Sequence, residues 1–196
     1  GYRRKHRKSS LTFGGGLEES TSYNALNEFN ISRGNFKDMD AKYDAIKRLY
    51  ARENDLLVFL EDKVFKVLYG KNVLYNADGT ANVSSVDEVL GQEVAYVEEA
   101  GIGNQPETMA HYRRQVYFTD APKGKVLRLS QNGITPISDF GMRSYLKKAL
   151  YEARNRQILG GHDNHNEQYV LFISDADGAQ SNLIVDCSSR ISRRLA

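Results

Sequence analysis

Apolar and polar residues alternate in short runs along most of the chain, and turn-forming residues separate these runs. This pattern predicts short β-strands joined as antiparallel hairpins. The clearest segment is Gln115–Ser138, in which an aromatic run, a turn with Asp120 and Gly124, an apolar run, the turn Asn132-Gly133 and a third run follow one another. Asn-Gly favours a tight hairpin because both residues tolerate positive φ. Across the chain, strands are predicted near 56–60, 64–68, 115–119, 125–129, 134–138 and 168–173.

The same arrangement recurs around Asp62, Asp120 and Asp175, where an apolar run, an Asp, a turn and a second apolar run follow one another. These aspartates lie 58 and 55 positions apart. Propeller repeats measure about 40–50 residues, and insertions lengthen them. The fold class predicted is therefore mainly β, with antiparallel meanders of the β-propeller-blade type, complete or incomplete. Three unrelated hairpins are the alternative, because any hairpin has this local pattern.

One segment has helical rather than strand periodicity. Apolar residues recur at spacings of three and four within Phe140–Gln157, and Asp139 is a candidate N-cap. Asp38–Tyr50 fits either a short amphipathic helix or extended chain, and Gly79–Ser85 is expected to be a turn-rich excursion. The predicted organisation is a basic tail (1–10), a long extended arm with a possible short helix (11–50), a propeller-like β domain (51–186) and a second basic tail (187–196).

Charge is balanced overall but concentrated at the two ends. The 27 basic and 25 acidic residues give a formal charge of +2, which does not argue for nucleic-acid binding by the whole molecule. Clustered like charges form either solvated tails or arms that contact phosphate or an acidic partner. The candidate contact residues are Arg3, Arg4, Lys5, Arg7, Lys8, Arg190, Arg193 and Arg194.

The chain offers little that resembles catalytic or metal-binding chemistry. His162 and His165 flank a predicted turn, and a zinc site needs further converging ligands. Asp175 and Asp177 resemble the start of a calcium loop, but the twelfth position holds the short Asp186. Adjacent carboxylates in strands point to opposite faces, so they do not form a glycosidase pair. The expectation is a protein that is not an enzyme and that has no metal or cofactor.

Several of these segments together carry a resemblance. They are LYARENDLLVFLEDKVFKVLYGKNVLY, VYFTDAPKGKVLRLSQNGITPISDFGMRSYL, ILGGHDNHNEQYVLFISD and the upstream FGGGLEESTSYNALNEFNISRGNFKDMD. Over 11–175 the chain resembles the muzzle, or nozzle-like, tail proteins of crAss-like, short-tailed bacteriophages, which are of the propeller type. Such proteins are much longer than this chain, so we expect it to be part of a longer protein.

The resemblance implies a structural role in the virion. Proteins of this family form a ring at the end of the tail, hexameric by resemblance, which extends the DNA channel and helps to retain and then release the genome. The implied partners are further copies of the chain, other tail or portal-associated proteins, tail fibres and non-specifically contacted genomic DNA. Independently of the resemblance, no run approaches 18 apolar residues, so no membrane span is expected. The residues expected to dock on a neighbour from the arm are Leu17, Tyr23, Leu26 and Phe29.

Two other classes of function stay open at this point. One is a carbohydrate-binding propeller module for host recognition, although the absence of Trp counts against it. The other is a propeller hydrolase, which the sequence disfavours because it lacks a carboxylate or metal constellation.

Overall fold

The computed structural model describes residues 3, 6–15, 17–18, 22–29, 35–75, 81–174, 180–186 and 191–194. Only the backbone is described at 17–18, 23, 71–75, 81–88, 180–186 and 191–194. The molecule is mainly β, as predicted, and its sheets are antiparallel. Three four-stranded sheets follow one another along the chain, and each is a meander of four consecutive strands.

The N-terminal segment forms two small strand pairs before these sheets begin. β1 (Ser10–Thr12) pairs with β4 (Phe36–Asp38), and β2 (Leu17–Glu18) pairs with β3 (Tyr23–Asn24). Leu11 and Met39 are buried against one face of the first large sheet. The N-terminal segment therefore covers that face instead of projecting from the molecule at these positions.

Sheet A contains β5 (Ile46–Ala51), β6 (Asp55–Leu60), β7 (Val64–Tyr75) and β8 (Ala81–Ala95). A 3₁₀ turn occupies Ala41–Tyr43, so the extended alternative for 38–50 is correct from Ile46 onward. The expectation of a turn-rich excursion at 79–85 is wrong from Ala81, where β8 begins; 76–80 lie outside the described residues. β7 and β8 continue as a two-stranded ribbon beyond the shorter β5 and β6. A ribbon needs little apolar sequence, which is why composition suggested a loop.

Sheet B contains β9 (Ala110–Tyr112), β10 (Gln115–Asp120), β11 (Lys125–Ser130) and β12 (Gly133–Pro136). The predicted meander is confirmed, except that the third strand ends at Pro136 and a 3₁₀ turn, Ile137–Asp139, follows. Gly124 and Gly133 have φ values of 65° and 103°, as their turn positions predicted. Both strands of the Asp120 hairpin are almost wholly buried, because sheet B lies between sheets A and C.

Sheet C contains β13 (Ile158–Asp163), β14 (Gln168–Ser174), β15 (Gln180–Asp186) and β16 (Ile191–Arg194). The three segments of the sequence repeat thus become the second and third strands of three successive sheets. Asp175 itself lies outside the described residues.

The helix α1 (Arg143–Ala153) connects sheets B and C and is shorter than the predicted 140–157. Its buried face consists of Leu146, Leu150 and Ala153. The proposed cap is wrong: Met142 occupies the N-cap position, and the Asp139 carboxylate instead pairs with the Arg143 guanidinium at 3.3 Å. Gly141, with φ of 114°, separates Asp139 from the first turn of the helix.

The core divides into three layers because successive residues of a strand point to opposite faces. Between sheets A and B, the rings of Phe59 and Phe118 meet edge to face, with centroids 5.1 Å apart. Between sheets B and C, Tyr117 stacks on Tyr169 at 5.4 Å, beside α1. The third layer lies between sheet A and the N-terminal segment. The sheets are therefore stacked face to face in chain order.

Candidate functional site

The first strands of the three sheets meet along one side of the molecule. β5, β9 and β13 each form an edge of their own sheet. The Tyr50 and His111 rings join β5 to β9 with centroids 5.5 Å apart, and Tyr112 stacks on His162 at 4.1 Å to join β9 to β13. We call this row of β5, β9 and β13 the first-strand edge. It places aromatic and imidazole side chains from three sheets side by side.

The β13–β14 turn contains His165, follows His162 of β13 and is held by its own hydrogen bonds. The Asp163 carboxylate accepts from the backbone N–H of His165 at 2.9 Å and from the Asn166 side-chain amide at 2.6 Å. The Asn166 hydrogen bond, followed by that from His165, lowers the pKa of Asp163. Interpretation of this segment as a hydrogen-bonded hairpin turn is therefore confirmed. No group of three or more potential metal ligands occurs among the residues that the structure describes.

A groove of about 620 Å³ opens between sheets A and B, beside the first-strand edge. The turns that follow β5 and β9 form much of its wall, and we call it the A–B groove. Four of its lining residues are cationic and two are acidic. The lining residues used below are Tyr50, Arg52, Glu53, Asp55, Lys66, Tyr96, Arg113, Arg114, Ser130 and Gln131.

Two of the four cations in this groove are already paired. The Arg52 guanidinium forms a two-bond fork with the Asp55 carboxylate, at 2.6 and 2.7 Å. Arg113 pairs with Glu167 across the first-strand edge at 3.0 Å, and both side chains are exposed. Lys66 and Arg114 make no ion pair within the described part of the chain. The groove therefore holds uncompensated positive charge.

The walls of the groove also include two tyrosines. Burial raises the pKa of Tyr96, and the neighbouring Arg52 opposes that rise, so the phenol stays protonated at neutral pH. Tyr50 packs partly against the core between sheets A and B. Ser130 and Gln131 contribute polar groups from the β11–β12 turn. An anionic group flanked by apolar or aromatic surface fits this mixture of cations, hydroxyls and rings.

The adjacent carboxylates noted in the sequence do not converge on a shared site. Glu98 pairs with Lys125 and Glu99 with Lys63, each at 2.7 Å. Glu61 pairs with Lys47 at 3.5 Å, and Asp62 pairs with Lys123 at 3.4 Å. Each of these carboxylates pairs with a different lysine, but all four lie in the turns and loops after β6 and β8, so the expectation from opposite strand faces does not apply to them.

The basic N-terminal residues that were candidates for phosphate contact lie partly in ion pairs. Arg7 contacts Asp38 at 3.4 Å, and Lys8 contacts Asp44 at 3.9 Å. Arg3 is exposed, and Arg4 and Lys5 lie outside the described residues. At the other end, Arg193 and Arg194 belong to β16, the outer edge of sheet C, and Arg190 is not among the described residues.

The arm residues expected to dock on a neighbour are partly available. Leu26 and Phe29 are 54% and 57% exposed, whereas Leu17 and Tyr23 belong to the β2–β3 pair, where only the backbone is described. The arm is nevertheless tied down locally, because the N–H of Gly15 donates to the carbonyl of Ala25 at 2.8 Å.

Sheet C has an apolar face that the described residues leave open. Leu159 and Phe172 are opposite each other on β13 and β14 and are 41% and 38% exposed. Tyr169, Leu171 and Ile173 alternate with them and are buried toward sheet B. β13 and β14 are thus covered on one face, and on the other they present the large apolar side chains of Leu159 and Phe172.

Comparison with protein-family models and with curated protein sequences found no match to this chain. No helix in the described part is both long enough and apolar enough to cross a bilayer.

Proposed function

We propose that this chain is a structural component of a bacteriophage tail, a muzzle- or nozzle-like ring protein, and that its three large sheets are blades of a propeller. The observation that carries the proposal is the stack of three consecutive four-stranded meanders, whose first strands lie together. Propeller blades are four-stranded meanders arranged around a central channel. A common side for the three first strands agrees with that arrangement.

The open face of sheet C supports assembly into a larger ring. Propellers typically contain four to eight blades, so three sheets make only part of one. Leu159 and Phe172 stand where the next blade would pack, as sheet B packs on sheet A through Phe59 and Phe118. In a ring of identical subunits, this face would meet a different surface of the next copy, and rotation would close the contacts. Leu26 and Phe29 of the arm would add a second point of attachment.

The location and partners follow from the same proposal. The protein would reside in the tail of the virion, next to portal-associated and other tail proteins, and genomic DNA would pass through the ring without sequence-specific recognition. Because Arg7 and Lys8 have carboxylate partners, the first-strand edge and the A–B groove are better placed than the N-terminal tail to contact phosphate.

Mass spectrometry of purified virions tests the proposed location. Peptides of this chain should be recovered from particles of the phage that encodes it, at a stoichiometry consistent with a ring. Recovery only from the infected-cell lysate, with none in purified particles, would contradict a structural role in the tail.

Sedimentation velocity tests the assembly surface. The full chain should form oligomers at micromolar concentrations, and Leu159→Glu with Phe172→Glu should shift it toward the monomer, because charges would be placed on the contact face. Val97→Glu is the matched control, since Val97 is 97% exposed and lies away from that face. A chain that is monomeric under all conditions, or oligomers that both variants disrupt equally, would refute the role of this surface.

A further inference from the structure

We infer that the A–B groove is a binding site for phosphate groups, carried by a nucleotide or by a nucleic-acid backbone. The inference rests on the groove and its charges, and it does not depend on the proposed role in a phage tail. Four cations face a space of about 620 Å³ that contains only two carboxylates. A volume of this size is within the range of small-molecule sites in proteins.

Some of the cationic side chains in the groove have no carboxylate partner within the described part of the chain and can therefore bind an anion. Asp55 already occupies the hydrogen-bonding fork of Arg52, so this pair forms a fixed wall. Lys66, on β7, and Arg114, in the β9–β10 turn, have no carboxylate partner in the described residues. An ammonium and a guanidinium are the two side-chain groups that most often hold phosphate, the first as a point charge and the second through paired N–H donors.

The β9–β10 turn has a composition that hairpin geometry does not explain. Arg113 and Arg114 are its two central residues, between the paired Tyr112 and Gln115, and Arg113 has a φ of 53°. Two-residue hairpins favour Asn or Gly at such a position, because a side chain is strained at positive φ. Strained residues concentrate at functional sites. Arg113 therefore adds positive charge to the groove at a position where its own backbone conformation is unfavourable.

The Arg113–Glu167 pair provides a competing internal anion. Glu167 accepts from the guanidinium at 3.0 Å and from the Tyr112 hydroxyl at 2.5 Å. Both members of the ion pair are exposed, and exposed pairs contribute little to stability. A bound phosphate could therefore draw Arg113 from Glu167 at small cost. Glu53, which lines the groove, is a further carboxylate that would oppose a bound anion.

Ligand binding is measured with the full chain by fluorescence anisotropy of a labelled single-stranded oligo-dT 12-mer, and by calorimetry with dTMP and with pyrophosphate. Lys66→Gln with Arg114→Gln should weaken binding at least tenfold in 50 mM salt. Lys147→Gln with Lys148→Gln removes the same charge from α1, outside the groove, and should change affinity less than twofold. Binding of the small ligands would identify a nucleotide-type site, and binding of the 12-mer alone would identify a backbone site; either supports phosphate recognition.

Two further variants separate binding from folding. Arg113→Asn should weaken binding while leaving the melting temperature equal or higher, because Asn suits the positive φ. Glu167→Gln should strengthen binding by a few-fold, because it releases Arg113. Affinity for the 12-mer should also fall as salt rises, and the double groove variant should have the shallower slope. The inference is overturned by no binding of any probe at 50 mM salt, or by equal losses in the groove and α1 double variants.

Discussion

Replacing Asp120 with Ala should lower the free energy of unfolding by about 2–4 kcal/mol. Asp120 ends β10 and is fully buried. Its carboxylate accepts from the backbone N–H of Gly101 at 3.0 Å and from that of Lys123 at 3.1 Å. It therefore connects the β10–β11 turn to the segment that leads from sheet A to sheet B.

The magnitude follows from the donors that the substitution would leave unpaired. A buried N–H without a partner costs about 1–3 kcal/mol, and Ala would leave one buried donor, at Gly101, and one partly buried donor, at Lys123. An opposing contribution reduces the sum, because burial raises the pKa of Asp120 and so disfavours its ionised form, although the Gly101 hydrogen bond offsets part of that rise. Asp120→Asn retains one acceptor and removes the charge, so it should cost less than Asp120→Ala.

Urea denaturation at pH 7, followed by circular dichroism, measures both losses. Asp62→Ala is the control, because Asp62 occupies the corresponding hairpin turn of sheet A and also contacts Lys123, at 3.4 Å, but is largely exposed. Its loss should be below about 1 kcal/mol, as is usual for exposed ion pairs. If Asp120→Ala costs no more than Asp62→Ala, the buried carboxylate does not hold the turn as described.

Three further predictions concern pH, turns and the helix. As pH rises from 4 to 7, wild type should lose stability relative to Asp120→Asn, because burial raises the pKa of Asp120 in the folded state and the folded protein then favours the protonated carboxyl. Urea denaturation at both pH values measures this difference, and a gain in the relative stability of wild type with rising pH would contradict the prediction. Gly124→Ala should be more destabilising than Gly133→Ala, because a Cβ at Gly124 would lie 2.6 Å from Lys147 Cα, whereas one at Gly133 meets no atom within 4 Å. Gly133→Ala should cost only about 1 kcal/mol, from its positive φ. Equal melting temperatures of the two variants would contradict this. Leu150→Ala should cost about 2–5 kcal/mol because Leu150 is fully buried, and an unchanged urea midpoint would exclude tight packing of α1 between sheets B and C.

Three of the four strands of sheet B, β10 to β12, were predictable because their signals are local, whereas the short edge strand β9 was not predicted. Asp120 to Gly124 and Asn132-Gly133 have the steric preferences that their turns require, and apolar runs flank them. The boundaries of α1 were harder to predict, because Gly141 and the 3₁₀ turn before it interrupt a helical pattern of side chains. The assignment of 46–50 to a strand depended on pairing with β6, which local sequence does not specify.

The A–B groove could not have been found in the sequence by spacing. Lys66 and Arg114 come from different sheets and meet only because sheet A packs on sheet B. The tandem Arg113-Arg114 was the available signal, as an unusual pair between two short apolar runs. The sequence also did not predict that Asp120 is buried and Asp62 exposed, because the two hairpins have similar local sequences but lie in different sheets of the stack.

The layer between sheets A and B has a consequence for synthesis of the chain on the ribosome. Leu57 and Phe59 are buried against Phe118 and Leu129, and Leu129 is translated about seventy positions after Phe59. At roughly 5–20 residues per second, that interval lasts on the order of several seconds. During this interval, the strands of sheet A that have already been translated expose an apolar surface, because the strands of sheet B that will cover it have not yet been synthesised. The nascent chain should therefore bind a ribosome-associated chaperone most strongly in this interval, and release it once β11 has emerged.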